Sequence, residues 1–220
     1  MDQESFLARL RSAPTKANGT PLRETTFRKR HSVRELADRL AQELEAVKGV
    51  VHRARSLGDA RDRIVSVLRA ARVRRLVRTR TTVLEELDLD RALLESGIEL
   101  EVCDLRAGGS REAIRGANFS AEAGLTGVDY GIAETGTLAL LTRPGEGRAV
   151  SLVPPLHIAV LHARNICYEL GELLERVTAE EGALPSALTF ITGPSSTGDI
   201  ELVHTVGVHG PGELHLVLLE

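Results

Sequence analysis

Strand-like and helix-like segments alternate along the first half of the chain, and this alternation is the feature that most constrains the fold. The runs VVHRA, VRRLVRT and IELEVCD have the β-branched residues or the strict alternation of strands. Between and after them lie the amphipathic runs GDARDRIVSVLRAA, LDRALLESG and SREAIRG. Such alternation is typical of βαβ units. We therefore predict an α/β fold with a mostly parallel sheet flanked by helices.

A separate helix is predicted ahead of these units, in HSVRELADRLAQELEAVKG. Ser32 and Glu35 have the spacing of a capping box, in which each side chain accepts a hydrogen bond from the other residue's free backbone N–H. Residues 1–30 combine a short amphipathic piece with a polar linker, which predicts a helical N-terminal arm. The helices of the first half need a sheet to cover, so residues 31–220 are predicted to form one domain.

The second half of the chain is richer in strands and glycines. Its strand-like pieces are VDYGIA, TLALLT, HIAVLH, ALTFIT, ELVHTVGV and ELHLVLL, and its one predicted helix is ARNICYELGELLERVTAE. Helices in the first half and strands in the second can share a single sheet, so this change of character does not require two domains.

Charge is distributed unevenly along the chain. Residues 1–80 contain 20 lysines and arginines against 9 acidic residues, whereas residues 81–220 contain 8 against 22. Eight arginines lie between Arg61 and Arg80. We interpret these arginines as the solvated faces of helices, and the alternative that they dock an acidic protein partner stays open. Because no aromatic residue lies between Phe27 and Phe119 to stack on bases, we expect no nucleic-acid partner.

Several well-known functional motifs are absent from the sequence. It contains no P-loop, no GxGxxG fingerprint and no HExxH, and the spacing in GPSSTG is one residue too long for a nucleophile elbow. Two distant cysteines cannot supply four thiolates to an iron–sulfur cluster, so we expect no cofactor bound by this chain alone. No apolar run approaches the ~20 residues of a membrane span, and no signal peptide is evident. The expected location is the cytoplasm.

Four loops adjoin strand-like runs, and we predict that they meet around one crevice; they are Glu134–Thr137, Ser151–His157, Thr192–Glu201 and Gly207–His215. Gly, Ser and Thr on such loops suit a phosphate or carboxylate, although each loop alone is also explained as an ordinary turn. The predicted ligand-binding residues are Thr135, Gly136, Thr137, His157, Gly193, Pro194, Ser195, Ser196, Thr197, Asp199 and Glu201.

Two residues in these loops are candidates for catalysis. Glu134 ends an apolar strand-like run. A carboxylate in this position can act as a general base, as a nucleophile or as an anchor for a ligand hydroxyl. The alternative is that Glu134 is an ordinary acidic residue of a surface turn. His209 lies between glycines and is a candidate for ligand binding or proton transfer. A metal site is not predicted, because Glu201 and His204 would point to opposite faces of one strand.

Four segments, in order, resemble the LUD domain of the lactate-utilization protein C (YkgG-like) family: DYGIAETGTLAL, SLVPPLHIAVL, TFITGPSSTGDIELVHTVGVHGP and LHLVLL. The resemblance covers roughly residues 50–219. It implies a fold similar to the NagB/RpiA/CoA-transferase group and a role in oxidising L-lactate to pyruvate, beside two partner proteins that carry iron–sulfur clusters. This chain would then be a non-redox subunit that binds a small organic anion.

Two other functions stay open at this point. The similarity to CoA-transferases suggests a stand-alone enzyme of the CoA-transferase or sugar-phosphate-isomerase type that uses Glu134. The basic N-terminal half suggests a scaffold that docks a partner.

Overall fold

The computed structural model describes residues 31–104, 106, 110–143, 147–182, 185–198, 204–207 and 209–220. The predicted helical arm of residues 1–30 lies outside this range, and the boundary after residue 30 stays a prediction.

Six parallel strands form the main sheet. They are β1 (Val50–Ala54), β2 (Arg75–Arg78), β3 (Glu99–Val102), β4 (Ala123–Gly127), β7 (Leu156–His162) and β12 (Glu213–Leu219), in the spatial order β1-β12-β7-β4-β2-β3. The long central strands β7 and β12 are buried along most of their length, as expected for a parallel sheet covered on both faces. The predicted α/β fold with a mostly parallel sheet is confirmed.

A smaller sheet is formed by the chain segments between β4 and β7 and between β7 and β12. It contains β5 (Tyr130–Ile132), β6 (Thr137–Leu141), β8 (Ile166–Cys167) and β9 (Leu188–Ile191), in the order β8-β5-β6-β9. Strand β6 is antiparallel to both of its neighbours. A separate antiparallel ribbon joins β10 (Ser196–Gly198) to β11 (His204–Val206).

Helices cover both faces of the main sheet. They are α1 (Val33–Ala46), α2 (Leu57–Ala70), α3 (Thr82–Glu86), α4 (Leu89–Glu95), α5 (Arg111–Ser120) and α6 (Leu170–Glu181), with 3-10 turns at Arg148–Ser151 and Ala163–Asn165. On one face, Ile64 and Leu68 of α2 pack with Ile158 of β7. On the other, Leu40 and Leu44 of α1 pack with strand residues of both sheets. The chain therefore has two apolar layers with the main sheet between them.

The helix boundaries agree with the sequence at some ends and differ at others. The Ser32–Glu35 capping box is present at α1. The sequence suggests Asp59 as the N-cap of α2, but the N-cap is Ser56. The Asp59 carboxylate instead accepts a hydrogen bond from the backbone N–H of Arg55. Helix α6 begins only at Leu170, because Ile166–Cys167 before it form strand β8, which pairs with β5.

Strand β4 is absent from the sequence-based prediction, although it lies in the middle of the main sheet. Its sequence, AGLTG, has two glycines and only one large apolar side chain. Strand propensity is low for such a segment, and pairing with β2 and β7 on its two sides overrides it.

The strand order creates a topological switch point beside β4. After β2 the chain continues to β3 on one side, and after β4 it continues towards β7 on the other side. The connections leaving two adjacent parallel strands therefore diverge at their carboxyl ends. In open α/β sheets, ligands bind in the crevice at this position.

No helix within the described ranges is both long enough and apolar enough to span a membrane.

Candidate functional site

A crevice of about 610 Å³ lies at the carboxyl edge of the main sheet, at the switch point between β2 and β4. It is lined by residues that follow β2, β3, β4, β6 and β7 and by the C-terminal half of α6. Its cationic lining residues are Arg80, Arg106, Arg143, Arg164 and Arg176. Its acidic lining residues are Glu86, Asp129 and Glu180. The arginines outnumber the acids, so the crevice is suited to an anion.

The segment after β2 is held in place by a buried arginine. Arg78 is 4% exposed, and its Nη1 lies 2.7 Å from Glu85 Oε1 and 3.3 Å from the carbonyl oxygen of Thr79. The Arg78 guanidinium, by hydrogen bonding and charge, lowers the pKa of Glu85. This contact positions the chain that carries Arg80 into the crevice.

Buried threonine hydroxyls lie in a small cavity next to the crevice. This cavity has a volume of about 30 Å³, the size of one water molecule, and shares Thr81, Gly127 and Asp129 with the crevice. The Oγ1 atoms of Thr79 and Thr81 are buried and have no hydrogen-bond partner among the described residues. Gly127 permits the close approach, because a Cβ there would lie 2.3 Å from Thr81 Oγ1. Unpaired buried hydroxyls beside a cationic crevice are ready donors for an anion.

Two aspartates hold arginines at the rim. Asp129 Oδ2 accepts a hydrogen bond from the backbone N–H of Leu141 at 2.7 Å, and its Oδ1 pairs with Arg143. Asp104, just after β3, lies 3.4 Å from the Nε atoms of both Arg80 and Arg106. The backbone N–H of Arg106, together with these two guanidinium groups, lowers the pKa of Asp104. Asp104 therefore remains charged at neutral pH, and the contacts of both aspartates fix the direction of the arginines.

Tyr130 in this crevice is held in its protonated form. Tyr130 donates a hydrogen bond to Glu180, and burial together with this carboxylate raises the pKa of Tyr130 well above its ordinary value. The phenol therefore stays protonated. In the described ranges, no cluster of three or more His, Cys, Asp or Glu residues has the arrangement of a metal site. What the arrangement offers is several guanidinium forks, which match a carboxylate in geometry and charge.

A second, smaller hollow of about 180 Å³ lies at the amino ends of β7 and β12. Three of the four predicted loops meet here, and the hollow is lined by His157, Gly193, Pro194, Ser195 and His209. The loops are joined by backbone hydrogen bonds: Ser195 N–H donates to the Pro211 carbonyl at 2.8 Å, and Gly207 N–H donates to the Ser195 carbonyl at 3.0 Å. Three of the four loops therefore meet around this hollow, whereas the sequence predicted that all four would do so.

The Glu134 turn lies beside this hollow but does not line it. The hydroxyls of Thr135, Thr137 and Thr192 form a chain with two successive separations of 2.7 Å, which connects the turn to the loop after β9. Glu134 itself is exposed, and its backbone N–H donates to the Tyr168 carbonyl. It lines neither the crevice nor the second hollow. Its catalytic role stays a prediction.

Gly136 has a structural reason to be glycine. Its φ is +64°, and a Cβ would lie 2.4 Å from the backbone nitrogen of Leu44 in α1. We expect Gly136→Ala to destabilise the protein by about 3 kcal/mol. The alanine would have to adopt a left-handed backbone conformation, and its Cβ would also clash with the backbone of α1. Urea unfolding measures the change. Gly116→Ala in α5 is the matched control, since nothing lies within 4 Å of that Cβ. Alanine there should stabilise by up to about 1 kcal/mol, and similar effects at both sites would contradict this packing.

The remaining predicted site residues have varied positions. Ser196 begins β10 and is exposed, without lining the second hollow. Thr197 lies in the same strand. Asp199 and Glu201 lie outside the described residues. His209 is exposed at the rim of the hollow. Ligand binding by all of these residues stays a prediction.

The arginine crevice was missed by the sequence analysis. Solvated faces explain many of the arginines between Arg61 and Arg80, but Arg78 is buried and Arg80 lines the crevice. Their position in the sequence could have indicated the crevice. Arg78 and Arg80 follow the apolar centre of a predicted parallel strand, and ligands bind at the carboxyl ends of such strands. The other crevice arginines are isolated in sequence, so no local pattern marks them.

Comparison with known proteins agrees with the resemblance seen in the sequence. A family model described as the LUD domain matches residues 37–219. A protein named Lactate utilization protein C from Halalkalibacterium halodurans is 38% identical over 103 residues, covering 46% of this chain and 45% of the relative. Another of that name, from Deinococcus radiodurans, is 43% identical over 102 residues, covering 45% and 47%. The chain thus aligns with about half the length of these relatives.

A solved structure supports the fold independently. The crystal structure of a DUF162 family protein from Deinococcus radiodurans superposes with a TM-score of 0.61 at 24% identity. The superposition covers 87% of this chain and all of the other one. Since the family model spans most of the chain and the fold agrees, this chain belongs to the LUD domain family.

Proposed function

We propose that this chain is a carboxylate-binding, non-redox component of a lactate-utilization system, and that L-lactate or pyruvate binds in the arginine crevice at the carboxyl edge of the main sheet. Relatives that match about half of the chain carry the name Lactate utilization protein C. The observation that carries the proposal is the convergence of five arginines in the crevice, with the unpaired hydroxyls of Thr79 and Thr81 in the small cavity that adjoins it. This is the donor set that a small carboxylate requires.

The crevice suits a carboxylate better than the second hollow does. No arginine or lysine lines the second hollow among the residues the structure describes. Burial lowers the pKa of His157 there to about 4, so its imidazole is neutral at physiological pH. A carboxylate would lose its hydration in that hollow without gaining a cationic partner. The proposed site therefore differs from the loops that the sequence pointed to.

The redox part of such a system is expected on other proteins. Cys103 and Cys167 are the chain's two cysteines, and both are buried. Burial raises the pKa of both thiols, which keeps them protonated and poor as metal ligands. Two partner proteins with iron–sulfur clusters, as the family resemblance implies, would carry the electrons.

Isothermal titration calorimetry with matched ligands tests the proposal. L-lactate and pyruvate should bind, whereas lactamide, which keeps the shape of lactate but has no charge, should bind at least about tenfold more weakly. A charge-assisted hydrogen bond contributes about 1.5–3 kcal/mol, which corresponds to a factor of ten or more. Equal affinity for lactate and lactamide, or no binding of either carboxylate, would contradict it.

A further inference from the structure

His157 is a buried polar residue that the proposed carboxylate site does not use. It lies on β7, is 1% exposed, and lines the second hollow at the amino edge of the sheet. Its Nε2 lies 2.9 Å from Thr126 Oγ1 on the neighbouring strand β4. Its Nδ1 is buried and has no hydrogen-bond partner among the described residues.

An orphaned ring nitrogen at this position requires an explanation. Most buried polar side-chain atoms in proteins have a hydrogen-bond partner. The bond to Thr126 fixes the ring, so the imidazole cannot turn Nδ1 towards another protein group without losing that partner. The hollow that His157 lines has a volume of about 180 Å³, and a small molecule there that displaces the cover over Nδ1 would supply the missing hydrogen bond.

The other walls of the hollow define the kind of molecule that fits. They are mainly apolar: Leu152, Ile191, Pro194, Pro211 and Leu214 contribute to them. Phe190 adds an aromatic wall and remains 44% exposed, although it is a large apolar side chain. No charged side chain lines the hollow within the described ranges. An occupant with a flat apolar body and a single polar group matches this surface.

We propose that the hollow at the amino edge is a second binding site, which takes an uncharged planar small molecule of the aromatic amide or N-heterocycle class, hydrogen-bonded to His157 Nδ1 and packed against Phe190. This site is separate from the carboxylate crevice in position and in chemistry. It selects against charge because none of its described lining side chains carries a charge and its buried imidazole is neutral, whereas the crevice selects for negative charge.

Benzamide and benzoate form a matched pair of probes, since they share a flat ring and differ in charge. Titration of each into the ¹⁵N-histidine-labelled full chain, followed by NMR, should show benzamide shifting the His157 Nδ1 resonance, assigned from its loss in His157→Gln. Benzoate should affect this resonance at least about tenfold more weakly, because an anion would be buried without a partner. An unchanged His157 resonance with benzamide, or an equal response to both probes, would overturn the proposal.

A second measurement avoids dependence on the buried histidine. Phe190→Ala removes a half-exposed wall of the hollow and should weaken benzamide binding about fivefold, within the range of aromatic contacts. Phe119→Ala is the matched control, since Phe119 is 67% exposed on α5 and does not line the hollow. It should leave benzamide affinity unchanged. Equal affinities of the two variants would count against the site, whatever the behaviour of lactate at the crevice.

Discussion

Replacing Arg164 and Arg80 together by glutamine should abolish measurable binding of pyruvate, and each single replacement should weaken it about 10- to 100-fold. Arg164 follows β7 and Arg80 follows β2, so the two guanidinium groups enter the crevice from either side of β4. Each would donate charge-assisted hydrogen bonds to the carboxylate, worth about 1.5–3 kcal/mol. The two changes should not add simply, because both residues act on one small ligand.

The variants chosen for this test should fold normally. Arg80 is about half exposed, and Arg164 is exposed and forms no ion pair with the described acidic residues. Arg91→Gln is the matched control, since its side chain is 85% exposed on α4 and lies outside the crevice. Glu134→Gln should likewise leave pyruvate affinity unchanged. If the control variants lose as much affinity as the crevice variants, the ligand does not bind at the carboxyl edge.

Protonation of His157 should make the protein less stable as the pH falls from about 6.5 towards 4. Burial lowers the pKa of His157 in the folded state to about 4, whereas the unfolded chain has an ordinary value near 6.5. Between these values the unfolded state binds more protons than the folded state, so the free energy of unfolding rises with pH in this window. The full contribution of this one residue is about 3 kcal/mol above pH 6.5, and it is lost as pH falls through the folded pKa.

The difference between wild type and His157→Gln isolates this effect. His52 and His215, whose stacked rings pair across β1 and β12, also have lowered pKa values and act in the same direction. Both are retained in the variant, so their contribution cancels. Urea unfolding at several pH values should give a steeper dependence for wild type than for His157→Gln between pH 6.5 and 4.5. Parallel pH profiles would show that His157 is not held neutral by burial.

The fold class could be predicted from the sequence because each helix is indicated by a pattern within its own segment. The apolar stripe of α1 and its Ser32–Glu35 capping box are contained in one short segment. Strand β4 could not be predicted, because its place in the sheet depends on pairing with β2 and β7 rather than on its own small residues. Sequence reasoning is strongest where one segment determines its own structure and weakest where distant segments determine it together.

In the candidate site, too, local features could be predicted from the sequence and the tertiary arrangement could not. Glycine, proline and hydroxyl residues marked the loops around Ser195 and His209, and the structure brings those loops together. The sequence could not show that they meet at the amino edge of the sheet, because that depends on the order and direction of strands. Nor could it show that Arg143 and Arg176, from different elements, face one crevice. Only the tertiary arrangement gives isolated arginines a common function.

A crystal structure of the full chain with pyruvate tests the central claim most directly. We predict density for the ligand at the carboxyl edge between β2 and β4, with its carboxylate on guanidinium groups and on the Thr81 hydroxyl. Density for pyruvate in the hollow beside His157 instead, with the arginine crevice unchanged, would contradict the account.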